Sequence, residues 1–355
     1  MLLKGPSFVF FVFFASFLFP LVFFAFRIFY NSVQIFKPLQ RKCLKIEFLF
    51  LTMEIIFLGT SEAVPTEKKN HTAVLLRYEN ENILVDCGEG TQRQFRIAKI
   101  NPCKLTRILI THWHGDHVLG LPGLLQTLAL NNYSKQLYIY GPKGTKKFIE
   151  RMLDTFIFIE KIKLSVHEIV KNGLFLETNN FQLYAYKMKH KAPCLAYRFV
   201  EKDKRKINLE FLKKVGIEKG PLLGKLQQGK DIMFRGKKIT AKEATRIKKG
   251  RKIAFIFDTM LNENCFDAAK DADVLVCEAT FLDSLHRDKA KERFHLTAKQ
   301  AAEIAKKANV KALILTHISQ RYAKDEEVIL KEAKKTFKNC MLAHDFLKIK
   351  ITNPN

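Results

Sequence analysis

The chain has 355 residues, 47% of them apolar and 27% charged, and its 61 Lys and Arg against 35 Asp and Glu give a formal net charge of +26. The apolar content excludes a disordered chain, and the length allows about two domains or one large domain with insertions. The excess of base points to a polyanionic partner, nucleic acid or an anionic membrane surface, unless it reflects only a Lys-rich composition.

Residues 1–52 are set apart by composition, since 14 of the 31 Phe fall there. Phe8–Phe26 is apolar except for Ser16 and Pro20, a 19-residue run without a charge that nearly spans a bilayer core at helical rise. Pro20 in mid-run and bases on both flanks blur a transmembrane reading, and a signal peptide would need a shorter apolar run and a small-x-small cleavage site. The segment is read as a start-site artefact with Met53 as the working start; a membrane anchor is the alternative, and only then would a membrane be a partner.

From Met53 the text alternates short apolar strands with amphipathic helices. Strands are predicted at 54–58, 73–77, 83–86, 107–111, 137–140, 181–187, 195–200, 253–257, 274–278, 313–316 and 347–351. Helices are predicted at 144–156, at 325–336, and from the capping box Thr297-Ala298-Lys299-Gln300 to Lys307. Alternation of this kind indicates a layered α/β fold. Seven Cys without a C-x-x-C pair argue against a disulfide scaffold and for a reducing, cytoplasmic setting.

Residues 201–252 break the pattern. They hold 18 Lys and Arg against 6 Asp and Glu, a net +12, interleaved with Gly and apolar residues. The segment is read as a shaped basic protrusion inserted between two strand-rich halves.

Chemistry concentrates at Thr111-His112-Trp113-His114-Gly115-Asp116-His117, directly after a predicted strand. His112 and His114, two apart in extended chain, can face one centre; Gly115 lets the backbone turn, so Asp116 and His117 can face another. Imidazole and carboxylate are ligands of Zn²⁺. His190, Asp258 and His317 each follow a predicted strand, where several strands can converge on one edge. Together with the cluster they make a seven-residue site. Asp86 is read as support for a ligand rather than as a ligand.

These residues resemble the metallo-β-lactamase superfamily, and further segments narrow the resemblance to the ribonuclease Z family. They are Phe57-Leu58-Gly59-Thr60, Pro65-Thr66-Glu67-Lys68-Lys69-Asn70, Asp86-Cys87-Gly88-Glu89-Gly90-Thr91-Gln92, Gly120-Leu121-Pro122-Gly123, Glu278-Ala279-Thr280 and Thr316-His317-Ile318-Ser319-Gln320-Arg321-Tyr322. The resemblance runs from Met53 to about Ile351. It implies a four-layer αββα sandwich over 53–355, with 201–252 as a tRNA-gripping arm. It also implies two Zn²⁺ per subunit, one held by His112, His114 and His190, the other by Asp116, His117 and His317, with Asp258 bridging. Mn²⁺ and Fe²⁺ are alternatives for such ligands.

Family roles make Asp116 the group that orients the attacking water, His295 the proton donor to the leaving oxygen, and Glu278 its supporting carboxylate. Lys68, Lys69, Asn70, Gly220, Pro221, Ser319 and Arg321 become candidate substrate contacts. The implied activity is removal of the 3′ trailer from pre-tRNA, leaving a 3′-OH, by a homodimer. Phe257 stands where the family usually has Gly, Met260 where it often has Arg, and Ala196 where Gly commonly precedes Tyr197. The rival readings are a small-substrate hydrolase of the same superfamily (thioesterase, lactonase or phosphodiesterase) and an RNA-binding protein with an inactive site.

Overall fold

A computed structural model describes residues 53–158, 162–218 and 220–352. The Phe-rich leader and its start-site reading lie outside the described residues. In chain order the strands are β1 (Met53–Gly59), β2 (Ala73–Tyr78), β3 (Glu81–Val85), β4 (Arg107–Leu109), β5 (Gln136–Pro142), β6 (Lys163–Ile169), β7 (Gly173–Glu177), β8 (Phe181–Met188) and β9 (Cys194–Glu201). There follow β10 (Lys204–Ile207), β11 (Ile232–Phe234), β12 (Lys237–Ile239), β13 (Thr245–Lys248), β14 (Lys252–Ile256), β15 (Val274–Glu278), β16 (Ala312–Thr316), β17 (Cys340–Leu342) and β18 (Lys348–Ile351).

Two seven-stranded sheets are ordered β18-β1-β2-β3-β4-β5-β6 and β17-β16-β15-β14-β9-β8-β7. The central strands β1, β3, β14, β15 and β16 read as continuous apolar runs because both faces of the sheets are covered there. In β1, Ile55 and Phe57 point into the core between the sheets, where they meet Phe181, Tyr197, Phe199 and Phe255. Ile56 and Leu58 point the other way, beneath α1 (Thr91–Ile97), α3 (Leu121–Leu130) and α4 (Thr145–Thr155); the single turn α2 (Gly115–Val118) precedes α3.

The outer face of the second sheet is covered in the same way. Ala254, Ile256, Leu275 and Cys277 pack against α8 (Glu263–Ala269), α10 (Ala298–Lys307) and α11 (Glu327–Lys334). The result is the expected αββα order of layers. The capping box is present, with Thr297 and Gln300 each meeting the other's backbone N–H. In α4 Ile149 is buried, whereas Phe148 is 41% exposed and lies against Trp113.

Strand direction fixes where the polar residues emerge. β3, β4 and β5 are parallel, as are β14, β15 and β16, and β8 runs with β14 through the antiparallel β9. The carboxyl ends of β3, β4, β8, β14, β15 and β16 therefore open on one edge of the sandwich. Bonds join the sheets at that edge, among them Tyr197 Oη to the Ile110 carbonyl at 2.7 Å and Leu195 N–H to that of Thr111 at 2.9 Å. Gly88 is required there, since a Cβ would run into the Asp116 carbonyl and the His71 side chain. His71 is buried, with Nε2 3.2 Å from the Ala63 carbonyl.

The basic insertion folds on its own small core. β10 pairs with β13 and β11 with β12. Helices α5 (Leu209–Val215), α6 (Pro221–Gln227) and α7 (Ala241–Ala244) bury Leu212, Leu226, Ala241 and Ala244 with Ile232 and Ile239. At its root Arg251 meets Glu201 through Nε (2.7 Å) and Nη2 (3.2 Å) and donates to the Ile351 carbonyl at 2.7 Å. Both side chains are buried, at 7% exposure or less. α9 (Asp283–Arg293) completes the described helices, and no helix among the described residues is long and apolar enough to cross a membrane.

Burial raises the Glu201 carboxyl, but the Arg251 guanidinium outweighs it and holds the group below its usual range. Removing one member of such a pair leaves a buried charge uncompensated. Glu201→Ala is expected to lower unfolding stability by about 3–5 kcal/mol in urea titration. Because the folded carboxyl is depressed, its contribution is complete above about pH 4.3 and drains away as pH falls through the folded value. Glu201→Gln should therefore flatten the acid limb of the stability curve.

Candidate metal centre

Each polar side chain at the open edge reaches it from a strand end. β4 delivers His112 and His114, the α2 turn adds Asp116 and His117, β8 leads to His190, β14 to Asp258 and β16 to His317. His112, His114, His190 and Asp258 present ligand atoms all within 4.8 Å of one another, as do Asp116, His117, Asp258 and His317. Asp258 belongs to both groups through different oxygens. Its Oδ2 lies 3.6 Å from His112 Nε2 and 3.8 Å from His190 Nε2, and its Oδ1 lies 3.5 Å from His117 Nε2 and 3.1 Å from His317 Nε2. Asp116 Oδ2 stands 3.3 Å from His117 Nε2 and 3.6 Å from His317 Nε2.

The far sides of His112, His117, His190 and His317 are fixed. His117 Nδ1 is 2.7 Å from Asp86 Oδ2, and Asp86 also accepts both the backbone N–H and the hydroxyl of Thr111 at 2.7 Å. His112 Nδ1 lies 3.1 Å from Thr111 Oγ1, and His190 Nδ1 donates to the Phe294 carbonyl at 3.1 Å. Thr280 Oγ1 stands 3.1 Å from His317 Nδ1. With one nitrogen engaged behind, the other is aimed at the centre; this is how supporting partners orient metal ligands. Asp86 and His317 reach these orientations with φ of 57° and 56°, a costly backbone for residues bearing a side chain.

Three atoms facing the centre, His117 Nε2, Asp258 Oδ1 and His317 Nε2, are buried without a hydrogen-bond partner. Buried polar groups are normally paired, and imidazole and carboxylate are the donors a divalent ion takes. The residues therefore fit a divalent metal. Burial, with His117 next to it, holds His112 well below its usual pKa, and burial likewise lowers His190, so both are neutral and ready to donate lone pairs. His117 is drawn the other way: burial opposes it, but Asp258, Asp86 and Asp116 raise it well above its ordinary value. Metal binding must displace that proton.

His295 and Glu278 stand beside the ligand groups. His295 Nδ1 is 3.0 Å from Glu278 Oε2, while Glu278 Oε1 accepts the Thr259 N–H at 2.6 Å and Oε2 the Thr280 hydroxyl at 2.6 Å. His295 Nε2 lies 4.0 Å from Asp258 Oδ2. Burial lowers His295, but Glu278 and then Asp258 pull it up to about 9. The unusual Phe257 fills the core between the sheets, 6.4 Å from the His117 ring, and Ala196 is fully buried. Met260 pairs by backbone with Lys189, so the turn that carries Asp258 is held despite these changes.

The candidate substrate contacts are less uniform. Lys68 is exposed, but the Lys69 ammonium is held 2.5 Å from Glu326 rather than left free. The Asn70 N–H donates to Asp345, which also accepts from Thr60 and Gln94. Ser319 is buried, and its hydroxyl donates to Glu62 at 2.9 Å; Arg321 is exposed. Gly220 and Pro221 open α6 in the insertion. Glu62, Glu326 and Asp345 escaped the sequence reading. The placement of Glu62 and Asp345 just past the ends of β1 and β17 was their one signal.

Asp86→Ala is expected to weaken metal affinity by about 10–100-fold, the usual cost of removing a ligand's supporting partner. Competition against a chelating dye measures it, with circular dichroism as the check on folding.

Two family models match the chain: that described as Anti-Pycsar protein Apyc1 over residues 53–191, and the Beta-lactamase superfamily domain over residues 238–318. Ribonuclease Z of Archaeoglobus fulgidus is 39% identical over 306 residues, which cover 85% of this chain and 99% of the relative. Ribonuclease Z of Synechocystis is 41% identical over 313 residues, covering 84% and 94%. Among solved structures, the short form of human tRNase Z gives a TM-score of 0.61 at 31% identity, over 85% of this chain and 100% of that one. The metallo-β-lactamase fold protein YhfI from Bacillus subtilis, at 18% identity, TM-score 0.60 and coverage of 84% and 99%, shares the fold alone. With identities near 40% over nearly the full length of these relatives, and a metallo-β-lactamase sandwich around the His and Asp groups, the chain belongs to the ribonuclease Z family.

Proposed function

We propose that the chain is a zinc-dependent endoribonuclease that removes the 3′ trailer from pre-tRNA in the cytoplasm, acting as a homodimer. The observation that carries this reading is Asp258, whose two oxygens face two separate ligand groups with His295 alongside. His112, His114 and His190 would hold one cation and Asp116, His117 and His317 the other, with Asp258 between them; Mn²⁺ or Fe²⁺ could replace Zn²⁺ at such donors. When bound, the pair supplies Lewis acidity, lowering the pKa of a coordinated water and neutralising charge on phosphate oxygens.

The chain's own groups do the rest. Asp116 orients the attacking water and accepts its proton. As the water oxygen bonds to phosphorus, the bond to the tRNA 3′ oxygen breaks, and His295 gives that oxygen a proton, leaving a 3′-OH on the tRNA and the phosphate on the trailer. Glu278 accepts from His295 Nδ1–H, which orients the ring so that the proton given up is that of Nε2, and it stabilises the imidazolium.

Affinity is assigned to the insertion, whose surplus of Lys and Arg would neutralise phosphates and release counterions. Its own small core makes it a shaped surface for folded RNA rather than a loose tether. Lys68, Asn70 and Arg321 would meet phosphates near the cut, while Lys69 would do so only on leaving Glu326.

Asp116→Ala should abolish cleavage of a defined pre-tRNA, and His295→Ala should reduce kcat by about 10²–10⁴. Replacing residues 204–248 by a short Gly-Ser link should abolish pre-tRNA cleavage while hydrolysis of a small chromogenic phosphodiester persists. Equal retention of both activities would favour a small-substrate hydrolase.

A further inference from the structure

One carboxylate at the rim of the centre belongs to neither ligand group and faces no ammonium or guanidinium within 4 Å among the described residues. Glu62 Oε1 accepts the Ser319 hydroxyl at 2.9 Å and the Gln320 N–H at 3.3 Å. With its proton given to Glu62, the Ser319 oxygen presents a lone pair, and Arg321 Nε–H donates to it at 3.1 Å. The Arg321 guanidinium carbon then lies 5.0 Å from the centroid of the Phe281 ring, whose own centroid is 6.1 Å from that of His295. Ser319 at the middle of this chain of contacts is 2% exposed, whereas Glu62 is half-buried and Arg321 is exposed.

A negative charge here works against a polyanionic substrate, so its presence calls for a compensating role. Charge pairing is not that role, because Arg321 has no carboxylate partner within 4 Å among the described residues. What Glu62 does is fix the direction of one hydroxyl proton. Without an acceptor at Glu62, the Ser319 hydroxyl is free to rotate its proton towards Arg321, and the guanidinium loses the bond that aligns it. A guanidinium has five donors; with Nε engaged by Ser319 and one face on Phe281, its terminal N–H groups remain, in the fork geometry suited to a phosphate.

We infer that Glu62 is a positioning residue: through Ser319 it holds Arg321 across Phe281, where the guanidinium takes a phosphate of the RNA strand next to the bond being cut. This rests on the pre-tRNA reading above. It reassigns Ser319 from substrate contact to relay, and leaves Arg321 as the group that touches RNA.

The test is steady-state cleavage of a defined pre-tRNA by the metal-loaded full chain, comparing wild type with Glu62→Ala, Glu62→Gln, Arg321→Ala and the Glu62→Ala/Arg321→Ala double variant. A lost charge-assisted contact corresponds to roughly tenfold in binding. Arg321→Ala should raise KM about tenfold and Glu62→Ala by about three- to tenfold, with kcat within about twofold in both. Glu62→Gln, which keeps the acceptor oxygen and removes the charge, should restore KM, and the double variant should be no worse than Arg321→Ala alone. Multiplying KM effects in the double variant, or Glu62→Gln as impaired as Glu62→Ala, would overturn the inference. A wild type that leaves the precursor intact would overturn the underlying reading and this inference with it.

Discussion

A carboxylate buried where two sheets meet has to be neutralised by something, and Asp258 is set at that position. Its own surroundings supply imidazoles rather than Lys or Arg: His317, His117, His295 and His112 all act to hold it well below its usual pKa against the cost of burial. Protonated imidazoles neutralise it, and a bound cation would take over that work on displacing their protons, so the same arrangement that keeps Asp258 ionised also suits a cation. The orphaned atoms of Asp258, His117 and His317 are the visible trace of this constraint. The rest of the edge is built to keep it in place.

Support for that edge comes from both sheets. Asp86 at the end of β3 and Thr111 after β4 brace His117 and His112 from the first sheet. Glu278 at the end of β15 and Thr280 just past it brace His295 and His317 from the second. Backbone bonds cross between them, including His317 N–H to the Thr60 carbonyl at 3.1 Å. The site is thus a property of two sheets held in register, and the apolar core between them is what sets ligand spacing. The insertion leaves this frame through the buried Glu201–Arg251 pair, which ties its root to β18 as well as to β9 and β14.

Much of this was legible in the sequence because the ligands sit at strand ends and strands have a strong local signal. β15 was read to the residue, and His190, Asp258 and His317 were found by their position just past apolar runs. β6 and β7 have weak signals, because β6 mixes apolar with polar residues and β7 offers only Leu174, Phe175 and Leu176 between Gly and Glu. α3 and α8 carry no comparable signal: they are short or lie in Gly-containing text, and tertiary packing rather than local propensity holds them. Pairings distant in sequence were out of reach. Lys69 with Glu326, Ser319 with Glu62 and Asn70 with Asp345 each join residues more than 250 positions apart, and nothing local marks them.

The chemistry of the product's 3′ end is the most direct measurement of the central claim, that hydrolysis of a tRNA precursor takes place at the Asp258-centred edge. A defined pre-tRNA incubated with the metal-loaded protein should yield tRNA ending in a 3′-OH and a trailer carrying a 5′-phosphate, with no cleavage once a chelator is present. An intact precursor, a 3′-phosphate or cyclic phosphate on the tRNA, or cleavage unaffected by the chelator would contradict it.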